Sequence, residues 1–273
     1  MRLIDTHSHI QDAEFDADRD EVIKRARQAG VELILALGVD AANSRLAVAL
    51  AERHERVLAA AGVHPHDARD TNEAQLDELE ELAQHPRVAM VGEIGLDYYR
   101  NLSPRDQQLR VLRRQLATAG RVGKPVAVHA REAHEDMMPL LEQWSRDMGG
   151  RLPDGRPLGV LHYFSGDAGQ ARRYIERGFV ISAHTSVTHP KAALLHEVVR
   201  ATPIEHLVVE TDSPYGAPQR YRGQRNEPAY VAEAVEKIAE LKGMTAAEVA
   251  EATTRNALRL LDVSFAATGG SER

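Results

Sequence analysis

Leu3-Ile4-Asp5-Thr6-His7-Ser8-His9 opens the chain as a short apolar run that ends in two histidines. Side chains alternate along an extended backbone, so residues two apart share a face and His7 and His9 project together. The same arrangement recurs down the chain. Val57 to Ala61 leads into Gly62-Val63-His64-Pro65-His66, Val88 to Val91 into Gly92-Glu93, and Val126 to Val128 into His129. Leu158 to Leu161 ends at His162, and Leu207 to Val209 at Glu210-Thr211-Asp212.

Between these runs the apolar residues fall at helical spacing. Helices are expected near Asp16–Gly30, Ala41–His54, Glu73–Ala83, Pro104–Val122, Ala133–Met148, Asp167–Arg177, Lys191–Ala201, Pro228–Leu241 and Ala246–Leu261. With Val31–Leu37 and Phe179–Ile181 as further strands, eight strand-then-helix units result. Continuous rather than alternating apolar strands are those of a parallel sheet buried on both faces. A closed (β/α)8 TIM barrel follows, about 250 residues being its usual size. The competing open, doubly wound sheet lacks its glycine-rich turn after the first strand. Residues 1–262 read as one catalytic domain and 263–273 as a disordered tail.

There is no cysteine among the 273 residues, which excludes disulfides and thiolate chemistry and leaves His, Asp and Glu to hold any metal. No apolar run approaches the ~18 residues of a membrane span, and the start is unlike a signal peptide. A cytoplasmic protein without membrane partners is expected, as a monomer or small homo-oligomer. The formal charge of −7 argues against a wide basic footprint on duplex DNA. Bound cations would still supply positive charge at the end of a strand.

In such a barrel the chemistry sits at the C-terminal strand ends. Those positions hold His7 and His9, then His64 and His66, then Glu93, His129, His162 and Asp212. So many imidazoles and carboxylates around one mouth would repel or stay protonated without a cation, so bound metal is the economical expectation. Four histidines and two carboxylates exceed the needs of one tetrahedral ion. Two ions sharing a carboxylate would use them all, and Glu93 stands between the histidine groups, where a bridge belongs. A metal pair about 3.5–4 Å apart is suited to hydrolysis.

These segments resemble those of the TatD-family metal-dependent deoxyribonucleases. So do Gly92-Glu93-Ile94-Gly95-Leu96-Asp97-Tyr98-Tyr99, His129-Ala130-Arg131, His162-Tyr163-Phe164-Ser165-Gly166, Asp212-Ser213-Pro214-Tyr215 and Arg225-Asn226-Glu227-Pro228, in order and from end to end. The resemblance implies an amidohydrolase-type barrel cleaving DNA phosphodiesters, as a 3′–5′ exonuclease on single strands. It implies that His7, His9 and Asp212 hold one divalent ion and His129 and His162 another, with Glu93 bridging. Mg, Mn or Zn would serve. Ala130 and Tyr163 stand where the family usually has Ser or Cys, and Ser182-Ala183-His184 lacks a Ser-Gly pair often found there.

Asp212 is also the expected general base, and Glu210 a support behind the ligands. His64, His66, Arg131 and Arg225 are expected to contact phosphate or the ligands, and Asp5 to support the site's floor. Asn226 and Glu227 read as caps for the helix near Pro228. Tyr98, Tyr99 and Tyr221 are available to stack bases. The alternative function is amide or ester hydrolysis, such as a D-aminoacyl-tRNA deacylase, with the same metals polarising a carbonyl. Relatives with that chemistry often bridge their metals through a carbamylated lysine. No lysine ends a strand here, because Lys124 precedes the fifth. A purely structural metal scaffold would show a lost ligand, and none is lost.

Overall fold

Every expected apolar run forms a strand: β1 (Leu3–Ser8), β2 (Val31–Leu37), β3 (Val57–Ala61), β4 (Val88–Asp97), β5 (Val126–Arg131), β6 (Gly159–His162), β7 (Phe179–His184) and β8 (Leu207–Glu210). The helices between them are α1 (Arg19–Gln28), α2 (Ala41–Arg53), α3 (Glu73–Ala83), α4 (Arg105–Val122), α5 (His134–Asp147), α6 (Ala168–Glu176) and α7 (Ala193–Ala201). The final pair is α8 (Val231–Lys242) and α9 (Ala246–Leu261). The computed structural model describes residues 1–264, so most of the expected tail lies outside the described residues. None of the described helices is long and apolar enough to cross a membrane.

The strands are parallel and lie in the order β1 to β8, each paired with the next. Closure between β8 and β1 is sparse. A bridge joins Ser8 to Ser213, the Asp212 amide donates to the His7 carbonyl at 2.9 Å, and the His9 amide to the Ser213 carbonyl at 2.7 Å. Buried Asp5 reinforces this seam by accepting from the Thr211 amide at 2.8 Å and its hydroxyl at 2.6 Å.

Two apolar layers hold the barrel. Ile4, Leu35, Leu58, Met90, Val160 and Val208 fill its interior, and Leu260 and Leu261 of α9 pack beneath them. Intervening residues such as Ile34, Ala59, Val91 and Val209 face the helical layer. Asn256 of α9 donates to the Ile204 and Leu207 carbonyls at 2.8 and 2.7 Å, which fixes the plug against the start of β8. That end is sealed, and the opposite end is left for the site.

Three expectations at element ends are corrected. The first α-helix starts at Arg19 rather than Asp16, because Ala13–Phe15 forms a separate 3-10 turn. Arg19 ties that turn down through the Ile10, Gln11 and Asp12 carbonyls. Strand β4 runs on through Glu93 to Asp97 instead of stopping at Val91. Asn226 and Glu227 do not cap a helix with their side chains. Buried Asn226 instead donates to the Thr211 and Tyr215 carbonyls at 2.9 and 2.6 Å, while Glu227 pairs with Arg25 at 2.8 Å.

Candidate metal centre

The interior residues set which side chains reach the mouth. Counting by twos from Ala127, Val160 and Val208 brings His129, His162 and Glu210 inward, as simple strand alternation requires. The same count from Ile4 would select Thr6 and Ser8, and from Met90 it would select Gly92. The β1–β2 register shifts between Asp5 and Ser8, and the β4–β5 register between Val91 and Ile94. Such irregularities re-aim side chains. His7, His9 and Glu93 owe their place in the site to them.

Glu93 sits at the centre. Its Oε2 lies 3.2 Å from His7 Nε2 and 3.6 Å from His9 Nε2. Its Oε1 lies 3.0 Å from His129 Nδ1, 3.5 Å from His64 Nε2 and 3.6 Å from His162 Nε2. Asp212 Oδ1 closes the first group at 3.5 Å from His9 and 3.8 Å from His7. Three groups of donors are compact enough to share an ion: His7, His9 and Asp212; His7, Glu93 and His162; and His64, Glu93 and His129. Imidazole and carboxylate donors bind such ions at about 2.0–2.2 Å, which puts neighbouring donors roughly 3.0–3.6 Å apart. Most of these separations fall at that edge length, and the donor set suits a divalent cation.

The electrostatics divide the imidazoles into two groups. Burial, with His162 close by, lowers His7 to about 3, so its imidazole stays neutral and able to ligate. Burial likewise holds His64 well below the ordinary histidine value. For Glu93 burial pulls upward, but the surrounding imidazoles hold the carboxyl well below its usual range. Burial opposes a proton on His9 and His129, yet neighbouring carboxylates raise both to about 9: Asp212 and Glu93 for His9, Asp97 and Glu93 for His129.

A second layer orients the first. Glu210 Oε1 lies 2.8 Å from His162 Nδ1 and accepts the Tyr163 amide at 2.7 Å. Asp97, to which sequence reasoning gave no role, lies within 2.9 Å of His66 Nε2 and 3.1 Å of His129 Nε2. Its only sequence signal was its place in the Gly92–Tyr99 segment. His184, buried at the end of β7, stacks on Tyr163 with ring centroids 3.5 Å apart. Asp212 has a positive φ of 61°, a conformation unusual outside glycine, which sends its carboxylate to the mouth.

A cavity of about 630 Å³ opens over these groups, lined among others by Asp12, His64, His66, Arg100, Arg131 and Tyr215. Of the residues expected to contact phosphate or the ligands, Arg225 is held elsewhere. It pairs with Asp18 at 2.7 Å and Glu227 at 3.2 Å, donates to the Glu14 carbonyl, and lies over Phe15. Lys124 is far from the mouth, its amine donating to the His85 and Val88 carbonyls at 3.1 and 2.6 Å.

Residues 4–262 match the model of the TatD related DNase family. A Bacillus subtilis protein called an uncharacterized metal-dependent hydrolase, YabD, is 39% identical over 262 residues, 96% of this chain and 100% of its own. The 3′-5′ ssDNA/RNA exonuclease TatD of Salmonella typhimurium is 35% identical, again over 96% of this chain and 100% of its own. The crystal structure of YJJV, a TatD homolog from Escherichia coli, superposes with a TM-score of 0.88 at 32% identity, covering 96% of this chain and 99% of that one. Barrel, donor set and relatives agree along nearly the whole sequence, and the chain belongs to the TatD family of metal-dependent hydrolases.

Proposed function

We propose that this cytoplasmic protein, with residues 1–262 as its catalytic domain, removes nucleotides from the 3′ ends of single-stranded DNA by phosphodiester hydrolysis. The observation that carries the reading is the division of Glu93: one oxygen faces His7 and His9, the other His129, His162 and His64. That division suits a carboxylate shared between two divalent ions of the Mg, Mn or Zn class. Such ions would supply a water ionised near neutral pH and offset charge on the phosphoryl oxygens.

The chain's own residues do the rest. His7, His9 and Asp212 form one ligand group, His129 and His162 the other. Asp212, at the open side of its group, orients the attacking water and takes its proton. Glu210 and Asp97 fix the His162 and His129 rings, as acceptors behind metal-binding imidazoles do. His64, His66 and Arg131 bind phosphate oxygens, with Arg131 offering a forked donor.

The test is a panel of single-stranded DNA, RNA and aminoacyl-tRNA, with elemental analysis of the purified protein. The expected result is mononucleotide release from DNA 3′ ends, abolished by chelation and by Glu93→Ala or Asp212→Ala in folded protein. Intact DNA beside deacylated aminoacyl-tRNA would overturn the reading.

A further inference from the structure

The mouth of the cavity is electrically lopsided. Asp12 beyond β1 and Asp67 beyond β3 line one side, and Arg100 beyond β4 and Arg131 at the end of β5 line the other. Among the described residues neither guanidinium is paired with a carboxylate. Arg131 instead lies over Tyr99, its Cζ 3.9 Å from the ring centroid. Tyr99 is 59% exposed, so a large part of the ring is open to solvent just outside the cavity.

The two other tyrosines expected from the sequence to stack bases are already engaged. Tyr98 has Arg105 3.9 Å over its ring, and its hydroxyl donates to Asp136 at 2.7 Å. Tyr221 stacks on Tyr230 at 3.8 Å with the rings 2° from parallel, and neither lines the cavity.

We propose that Tyr99, backed by Arg131, is a stacking platform for the base of a nucleotide next to the reacting one, so that the substrate strand leaves the site over the β4–β5 rim. The proposal rests on the reading that the substrate is a single-stranded nucleic acid. Phosphates are repelled from the Asp12 and Asp67 side and drawn to Arg100, which carries the backbone past Tyr99. A base has a free face for stacking only when it is unpaired, and base–aromatic stacking tolerates any sequence. The guanidinium behind the ring holds it in place and adds a cation–π contact.

The test measures binding of a fluorescein-labelled oligothymidine with phosphorothioate linkages to the metal-loaded protein by anisotropy, and cleavage of the ordinary oligonucleotide separately. Tyr99→Ala should weaken binding about tenfold and raise KM with little change in kcat, while Tyr99→Trp restores both. An abasic residue near the 3′ end should weaken binding to the natural protein by a similar factor and add no further loss in Tyr99→Ala. An unchanged affinity in Tyr99→Ala, or an abasic loss equal in both proteins, overturns the platform. Tyr99-dependent binding without cleavage would sink the nuclease reading and keep the platform. Cleavage indifferent to Tyr99 does the reverse.

Discussion

Asp97 shows what one buried carboxylate contributes. Burial alone would raise it, but hydrogen bonds from His129 and His66 hold it well below the usual carboxylate range. As an acceptor it holds a proton on His129 Nε2, so that Nδ1, 3.0 Å from Glu93 Oε1, is the nitrogen that would give up its proton to a metal ion. Asp97→Asn should therefore keep the fold and weaken metal binding about 10–100-fold, read by calorimetric titration of chelator-treated protein. Metal binding equal to that of the natural protein would remove Asp97 from the site. Its partners come from the turn after β3 and from β5, so its role was invisible in the sequence although its position was not.

At the scale of elements, close backbone approach sets β4 against β5. Gly95 has φ +154°, and a Cβ there would fall 1.9 Å from the His129 carbonyl oxygen. Gly95→Ala should cost about 3 kcal/mol or more, measured by urea unfolding, because the strand holding His129 cannot yield without disturbing the site. On the outer layer Glu80 of α3 accepts Arg121 Nε and Arg114 Nη1 of α4, each at 2.7 Å. The Arg121 and Arg114 hydrogen bonds lower Glu80 from 4.5 to about 2. A carboxyl depressed by folding adds stability above its unfolded value and loses it as pH falls from 4.5 towards 2. Glu80→Gln should thus cost about 1 kcal/mol at neutral pH and progressively less in acid. An equal cost at both pH values would deny the clasp.

For the whole molecule, the weak place is the seam between β8 and β1, and the proposed ligands straddle it. His7 and His9 come from the β1 side and Asp212 from just beyond β8. A cation held by all three would tie the barrel shut. Metal loading should raise Tm, since ligand at a hundredfold above Kd stabilises by about 2.7 kcal/mol, and chelation should reverse it. Amide exchange should slow most at His9 and Asp212, the donors across the seam. Uniform slowing, or none, would place the ion elsewhere.

The sequence alone determined the eight-unit order, the layering and the strand ends that carry chemistry, because burial on both faces and helical spacing leave a direct trace in residue type. It also marked His129, His162 and Glu210, which alternation carries inward. What the tertiary structure decided was the aim of His7, His9 and Glu93. A register shift is a relation between neighbouring strands, and a single strand read by itself has no partner against which to slip. The two histidines that opened the chain as an alternating pair reach the mouth where the β1–β2 register breaks. Arg225 shows the converse, since only the fold brings Asp18 and Glu227 to it and takes it away from the cavity.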